Sequence, residues 1–189
     1  GLMEMGSFCF SFISNQIVLN ILKMKEEKCL VFVRHAKSSW DHLGIQDKQR
    51  PLNKRGMRDA PLMAAYLKEK LGSVDEIIAS SAMRTRSTAQ FMAEELLSNP
   101  EAIQFTEQLY ACDVKDYIEK IQLLSDDCQT VLFVGHNPTI TELAYHINGQ
   151  LLLQIPTCGV VIAKTNISNW EDFSFELTNF VASYTPKTI

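Results

Sequence analysis

Short apolar runs bounded by small and polar residues alternate along this chain with longer stretches in which apolar positions recur every three or four residues. The runs at 29–33, 76–79, 103–106, 131–134, 159–164 and 173–179 predict strands. The stretches at 54–71, 84–97, 114–124 and 138–147 predict helices. Such alternation implies a sheet covered by helices on both faces, a three-layer α/β/α domain with a mostly parallel central sheet. The last two strands, separated by Asn166, Ile167, Ser168 and Asn169, read as a hairpin that can bring one antiparallel strand into that sheet. Asn53 is placed to cap the first helix and Gly72 to end it, whereas Pro61 predicts a kink or a late start. The polar stretch from Ser38 to Pro51 reads as a loop over the strand ends.

Residues 1–23 stand outside this pattern. Phe8 to Leu22 is rich in Phe, Ile, Val and Leu, but Ser11, Ser14, Asn15, Gln16 and Asn20 interrupt it, no Lys or Arg precedes it, and it is short for a membrane span. The expected organisation is therefore an extension at 1–23 and one domain at 24–189, with no stable membrane association. The 189 residues suffice for one well-buried domain. With 46% hydrophobic and 21% charged residues the composition is that of an ordered globular chain, and the net charge of −4 argues against a general nucleic-acid binder. Five cysteines, none spaced as Cys-x-x-Cys, fit small buried side chains in a reducing cytoplasm better than a disulfide framework. No spacing of His, Cys, Asp or Glu suggests a metal, and no cofactor is expected.

The chemistry concentrates where strands end. Leu30 to Val33 delivers Arg34-His35-Ala36, and Val131 to Val134 delivers Gly135-His136-Asn137-Pro138. Open α/β sheets place ligands at such ends. Arg offers a planar fork for phosphate oxygens, and a neutral imidazole is a nucleophile at neutral pH, so the pairing suits phosphoryl transfer. Between these segments, Ser80 and Ser81 precede a helix start carrying Arg84, where an anion is favoured. Taken alone, His35 reads equally well as a strand-end histidine in a structural hydrogen bond. Arg86, His42 and His146 belong to no motif, and Trp40 is expected to pack under the loop.

In order, Arg34-His35-Ala36, Ser81-Ala82-Met83-Arg84-Thr85 with Thr88, and Gly135-His136-Asn137-Pro138 resemble the signature segments of the histidine phosphatase superfamily. The run from Arg34 to Asp41, followed by Arg50-Pro51-Leu52-Asn53, is similar to its small SixA-type phosphohistidine phosphatases. The resemblance implies a phosphoglycerate mutase-like fold and a covalent phosphohistidine intermediate on His35. Arg34, Arg84 and His136 would hold the phosphoryl oxygens, and Arg50 and Asp41 would join Arg34 and Arg84 in binding substrate. It also implies action on phosphohistidine or a similar small phosphorylated group, without cofactor, with a phosphorylated protein such as a histidine phosphotransfer protein, or a phosphorylated metabolite, as partner. Two alternatives stay open: a small-molecule phosphomonoesterase and a non-catalytic phosphate-binding module. The mutase branch reads Arg-His-Gly-Glu and ends in Asn, where this chain has Ala36, Lys37 and Asp41, so the general acid is unassigned between Glu107 and Asp41.

Overall fold

A computed structural model describes residues 27–40, 44–150 and 154–189. The extension at 1–23, its boundary with the domain, Asp41 and His42 lie outside the described residues. Six strands form one sheet in the order β3-β2-β4-β1-β5-β6. They are β1 (Lys28–Arg34), β2 (Glu76–Ser80), β3 (Gln104–Thr106), β4 (Thr130–Gly135), β5 (Val160–Thr165) and β6 (Thr178–Tyr184). β1 to β4 pair in parallel, while β5 runs against both of its neighbours. One antiparallel strand thus closes an otherwise parallel sheet. Among the described residues four α-helices cover it: α1 (Lys54–Leu71), α2 (Met83–Leu96), α3 (Val114–Gln122) and α4 (Thr139–Ile147).

The alternation of side chains along each strand divides the core in two. Val31 and Val33 of β1 face a layer with Met63, Leu67, Met92 and Leu96 from α1 and α2. Leu30 and Phe32 face the other layer with Tyr117, Ile121, Ile140, Leu143 and Trp170. Because β1 is buried on both faces, its sequence reads as a continuous apolar run. Each fully buried Leu, Met or Phe contributes roughly 1.5–3 kcal/mol through the area it removes from water.

Asn53 caps α1 by accepting a hydrogen bond from the Gly56 amide, and Gly72 ends it in a positive-φ conformation. The late start expected from Pro61 does not occur. α1 runs through Pro61, and the carbonyl left without its helical donor belongs to Met57, on an exposed turn where water can serve it. The final strand is displaced from the expected 173–179. Phe173 and Phe175 pack edge to face beside Trp170 in two 3-10 turns, and pairing with β5 begins only at Thr178. Among the described residues no helix is long and apolar enough to cross a membrane.

Candidate active site

Parallel pairing of β1 with β4 sets Arg34 opposite Gly135, so the residues that follow, His35 and His136, emerge side by side at the same sheet end. The His35 amide donates to the Gly135 carbonyl at 3.0 Å, and the two imidazoles tilt together with centroids 5.2 Å apart. Gly135 has a steric reason to be glycine. A Cβ there would lie 1.9 Å from the Tyr117 hydroxyl. The peptide bond between Asn137 and Pro138 is cis, and α4 starts at Thr139.

His35 is nearly buried, and its Nδ1 lies 2.7 Å from the Ala36 carbonyl. A carbonyl only accepts, so Nδ1 carries the proton and Nε2 keeps the lone pair. Burial pulls the ring's pKa down to about 3, against the opposing bond to Ala36 and with help from His136, Arg84 and Arg34. His136 is lowered to about 4, chiefly by burial and then by Arg84, with Asp47 opposing. Its Nε2 meets the Ser80 hydroxyl at 2.8 Å, while its Nδ1 is buried without a partner. Both rings are therefore neutral at pH 7.

Arg34 donates from Nη1 to the Ile155 carbonyl at 2.8 Å, and its buried Nε has no partner. Its pKa is lowered by burial. Arg84, on the first turn of α2, is 7% exposed and donates from Nη1 to the Asp47 carbonyl and from Nη2 to the Asp47 carboxylate, at 2.7 and 2.9 Å. That carboxylate also accepts from the Tyr110 hydroxyl and from Arg50 Nη1, each at 2.9 Å. Partial burial pushes the Asp47 pKa up, but the bonds from Tyr110 and Arg84 and the nearby guanidinium charges prevail and hold it below the usual carboxylate range.

Arg50 staples the loop from within, donating to the Ser39 carbonyl at 3.0 Å and to the Ser38 hydroxyl. Among the described contacts it reaches Arg84 only through Asp47. Trp40 does not pack under the loop. It is 72% exposed, with the Arg50 guanidinium stacked 3.4 Å from its ring centroid. Glu107 is exposed and bonded to Lys48, whose hydrogen bond holds its pKa down. An ionised, exposed carboxylate is a poor general acid. Arg86 stacks on Phe105 at 3.8 Å, and His146 stacks on Phe175 at 4.8 Å. The four described cysteines are free, and burial raises the pKa values of Cys29 and Cys112 to about 11 and of Cys128 and Cys158 to about 12. Among the described residues no three His, Cys, Asp or Glu are grouped as metal ligands.

Asp47, Tyr110 and Ser80 were not singled out by the motifs as parts of the site. Asp47 stands three residues before Arg50, a spacing that allows a turn ion pair, but nothing local links it to Arg84, 37 positions away. Arg34, His35, Arg84 and His136 gather at one sheet end as a cationic, water-poor cluster holding two neutral imidazoles.

Residues 30–121 match the family described as the histidine phosphatase superfamily (branch 1). The uncharacterized protein ML1117 of Mycobacterium leprae (strain TN) is 30% identical over 169 residues, covering 82% of this chain and all of that protein. The chain's fold is similar to that of a protein from Nakamurella multipartitia assigned as the phosphohistidine phosphatase SixA, with a TM-score of 0.74, 23% identity, and coverage of 85% of this chain and 96% of that one. It is also similar to the protein histidine phosphatase SixA complexed with tungstate, with a TM-score of 0.70, 20% identity, and coverage of 84% and 97%.

Proposed function

We propose, starting from the fact that this chain belongs to the histidine phosphatase superfamily, that it hydrolyses phosphohistidine or a similar small phosphorylated group through a phosphoenzyme on His35. The observation that carries the reading is the tautomer of His35: Nδ1–H is held by the Ala36 carbonyl, which leaves the Nε2 lone pair free in a ring kept neutral by burial.

In the first step Nε2 bonds to phosphorus while the bond from phosphorus to the leaving nitrogen breaks. Arg34 and Arg84 supply guanidinium donors to the phosphoryl oxygens, Arg84 by sharing them with Asp47, and His136 supplies another from Nδ1 with the Ser80 hydroxyl donating to its Nε2, so charge is met by groups gathered at the same sheet end. In the second step water attacks phosphorus, the bond to Nε2 breaks, and phosphate leaves with the protons of water. His35 returns as the neutral ring because Nδ1–H was retained throughout. A ring-protonated phosphoimidazole likewise departs as neutral imidazole, so no protein acid is required. That suits a site whose described carboxylates, Asp47 and Glu107, are both held ionised. The four free cysteines support work in a reducing compartment, taken here as the cytoplasm.

The test combines His35→Ala with trapping. Wild type should yield an acid-labile, alkali-stable phosphoenzyme and release phosphate from phosphohistidine protein, and His35→Ala should do neither. Turnover of phosphate monoesters with none on phosphohistidine would favour the small-molecule phosphomonoesterase. Binding without any turnover would favour the phosphate-binding module.

A further inference from the structure

Beside the cluster of Arg34, His35, Arg84 and His136 lies a cavity of about 400 Å³ whose walls include Arg55, Ile155, Pro156, Ser183, Pro186 and Lys187. These residues come from segments that meet at the same sheet end as His35. Arg55 is on the first turn of α1, Ile155 and Pro156 precede β5, and Ser183 to Lys187 close and follow β6. The wall is shared with the site itself, because the Ile155 carbonyl accepts from both Arg34 Nη1 and Asn137 Nδ2, at 2.8 and 3.0 Å. Its lining combines apolar Ile155, Pro156 and Pro186 with the Ser183 and Thr185 hydroxyls, and no carboxylate is among the described lining residues. Arg55 shares its charge with the buried Asp59, whereas Lys187 is exposed and makes no ion pair among the described residues.

We propose that this cavity is a substrate subsite that receives an acidic side chain, Asp or Glu, lying two or three residues from the phosphorylated residue of a protein substrate. The proposal rests on the phosphatase reading above. Two observations set its terms. Of the two wall cations, Arg55 is shared with Asp59 while Lys187 pairs with no described carboxylate, so an anionic side chain gains where a basic one is repelled. β5 alone separates β6 from β1, which puts the wall that carries Lys187, just past the end of β6, two strand spacings, about 10 Å, from the strand that ends in His35. An extended peptide advances about 3.3 Å per residue, so that distance is spanned in about three residues.

The experiment compares phosphohistidine peptides carrying Glu, Gln or Lys two or three residues to either side of the phosphorylated residue. It reads the ratio of kcat/KM between them within each protein, so the activity of a variant cancels. The Glu peptide should exceed the Gln peptide by about threefold in wild type, the size of an exposed ion pair. Lys187→Glu should reverse the order and favour the Lys peptide, and Lys187→Gln should flatten it. Equal rates for all peptides in wild type, or an unchanged preference in Lys187→Glu, overturn the subsite. The same ratios are measured as binding constants with non-hydrolysable phosphonate analogues of the peptides. Preference in binding without turnover of any phosphohistidine peptide leaves the subsite standing and removes the phosphatase reading instead.

Discussion

The two histidines are alike in charge but not in what each nitrogen has left to do. His35 spends Nδ1 on Ala36 and keeps Nε2, while His136 spends Nε2 on Ser80 and keeps Nδ1. Their neutrality has a thermodynamic signature. Both pKa values are depressed in the folded chain, to about 3 and about 4, from an ordinary value of 6.5. The unfolded chain therefore binds more protons below pH 6.5, so the stability fully present above that pH is lost as pH falls toward the folded values. The loss approaches about 1.4 kcal/mol per pH unit for each ring. Denaturant unfolding at pH 7, 6 and 5 should show this slope, and His136→Asn should remove one ring's share. Asp47 and Glu107 are held below ordinary values of 3.8 and 4.5, so their contributions fall away only at lower pH and leave this window clear. Equal wild-type stability at pH 7 and pH 5 would contradict the buried, neutral rings. Arg34, His35, Arg84 and His136 could be named from the sequence because each sits next to a strand or helix boundary that the apolar pattern marks and within a segment that resembles a histidine phosphatase signature. Asp47 and Tyr110 could not, since they meet across 63 positions with no periodicity to announce the contact.

At the scale of elements, the site depends on how closely β4 approaches α3. The Tyr117 hydroxyl is buried without a partner against Gly135, and this contact lies immediately before His136. Tyr117→Phe should be neutral or stabilising, because it removes an unpaired buried polar group. Gly135→Ala should cost about 1–3 kcal/mol, as overpacking does. In the Tyr117→Phe background most of that cost should disappear, since the next ring atom, Cζ, lies 3.2 Å from the added Cβ. Thermal melts of the four proteins give the coupling directly, and strictly additive losses would show that the clash is not the cause. The strands at 29–33 and 131–134 were legible because they are buried on both faces and bounded by polar residues. β6 was not: its residues alternate weakly at a sheet edge, and the apolar signal just before it belongs to Phe173 and Phe175 in turns under Trp170.

At the scale of the whole molecule, the order β3-β2-β4-β1-β5-β6 brings together residues more than a hundred positions apart, with the antiparallel β5 bringing the cavity at Arg55 and Lys187 to the flank of the His35 cluster. The layered architecture was readable from the alternation of strand and helix patterns, but the strand order was not, because it depends on which apolar faces fit rather than on any single segment. The chain carries a net charge of −4, yet the cluster around His35 holds Arg34, Arg84 and two neutral imidazoles against the single described carboxylate there, that of Asp47. Local attraction should therefore outweigh global repulsion for an anionic substrate. Raising salt from about 0.05 to about 0.5 M should lower kcat/KM, as screening within a Debye length weakens the local field. A rise with salt would show that the acidic body governs encounter. The contact between Asp47 and Arg84 bears on both ends of the cycle. With its carboxylate seated on that guanidinium, Asp47 shares the donors an anion would need, so substrate and released phosphate alike should gain less there than from a free arginine.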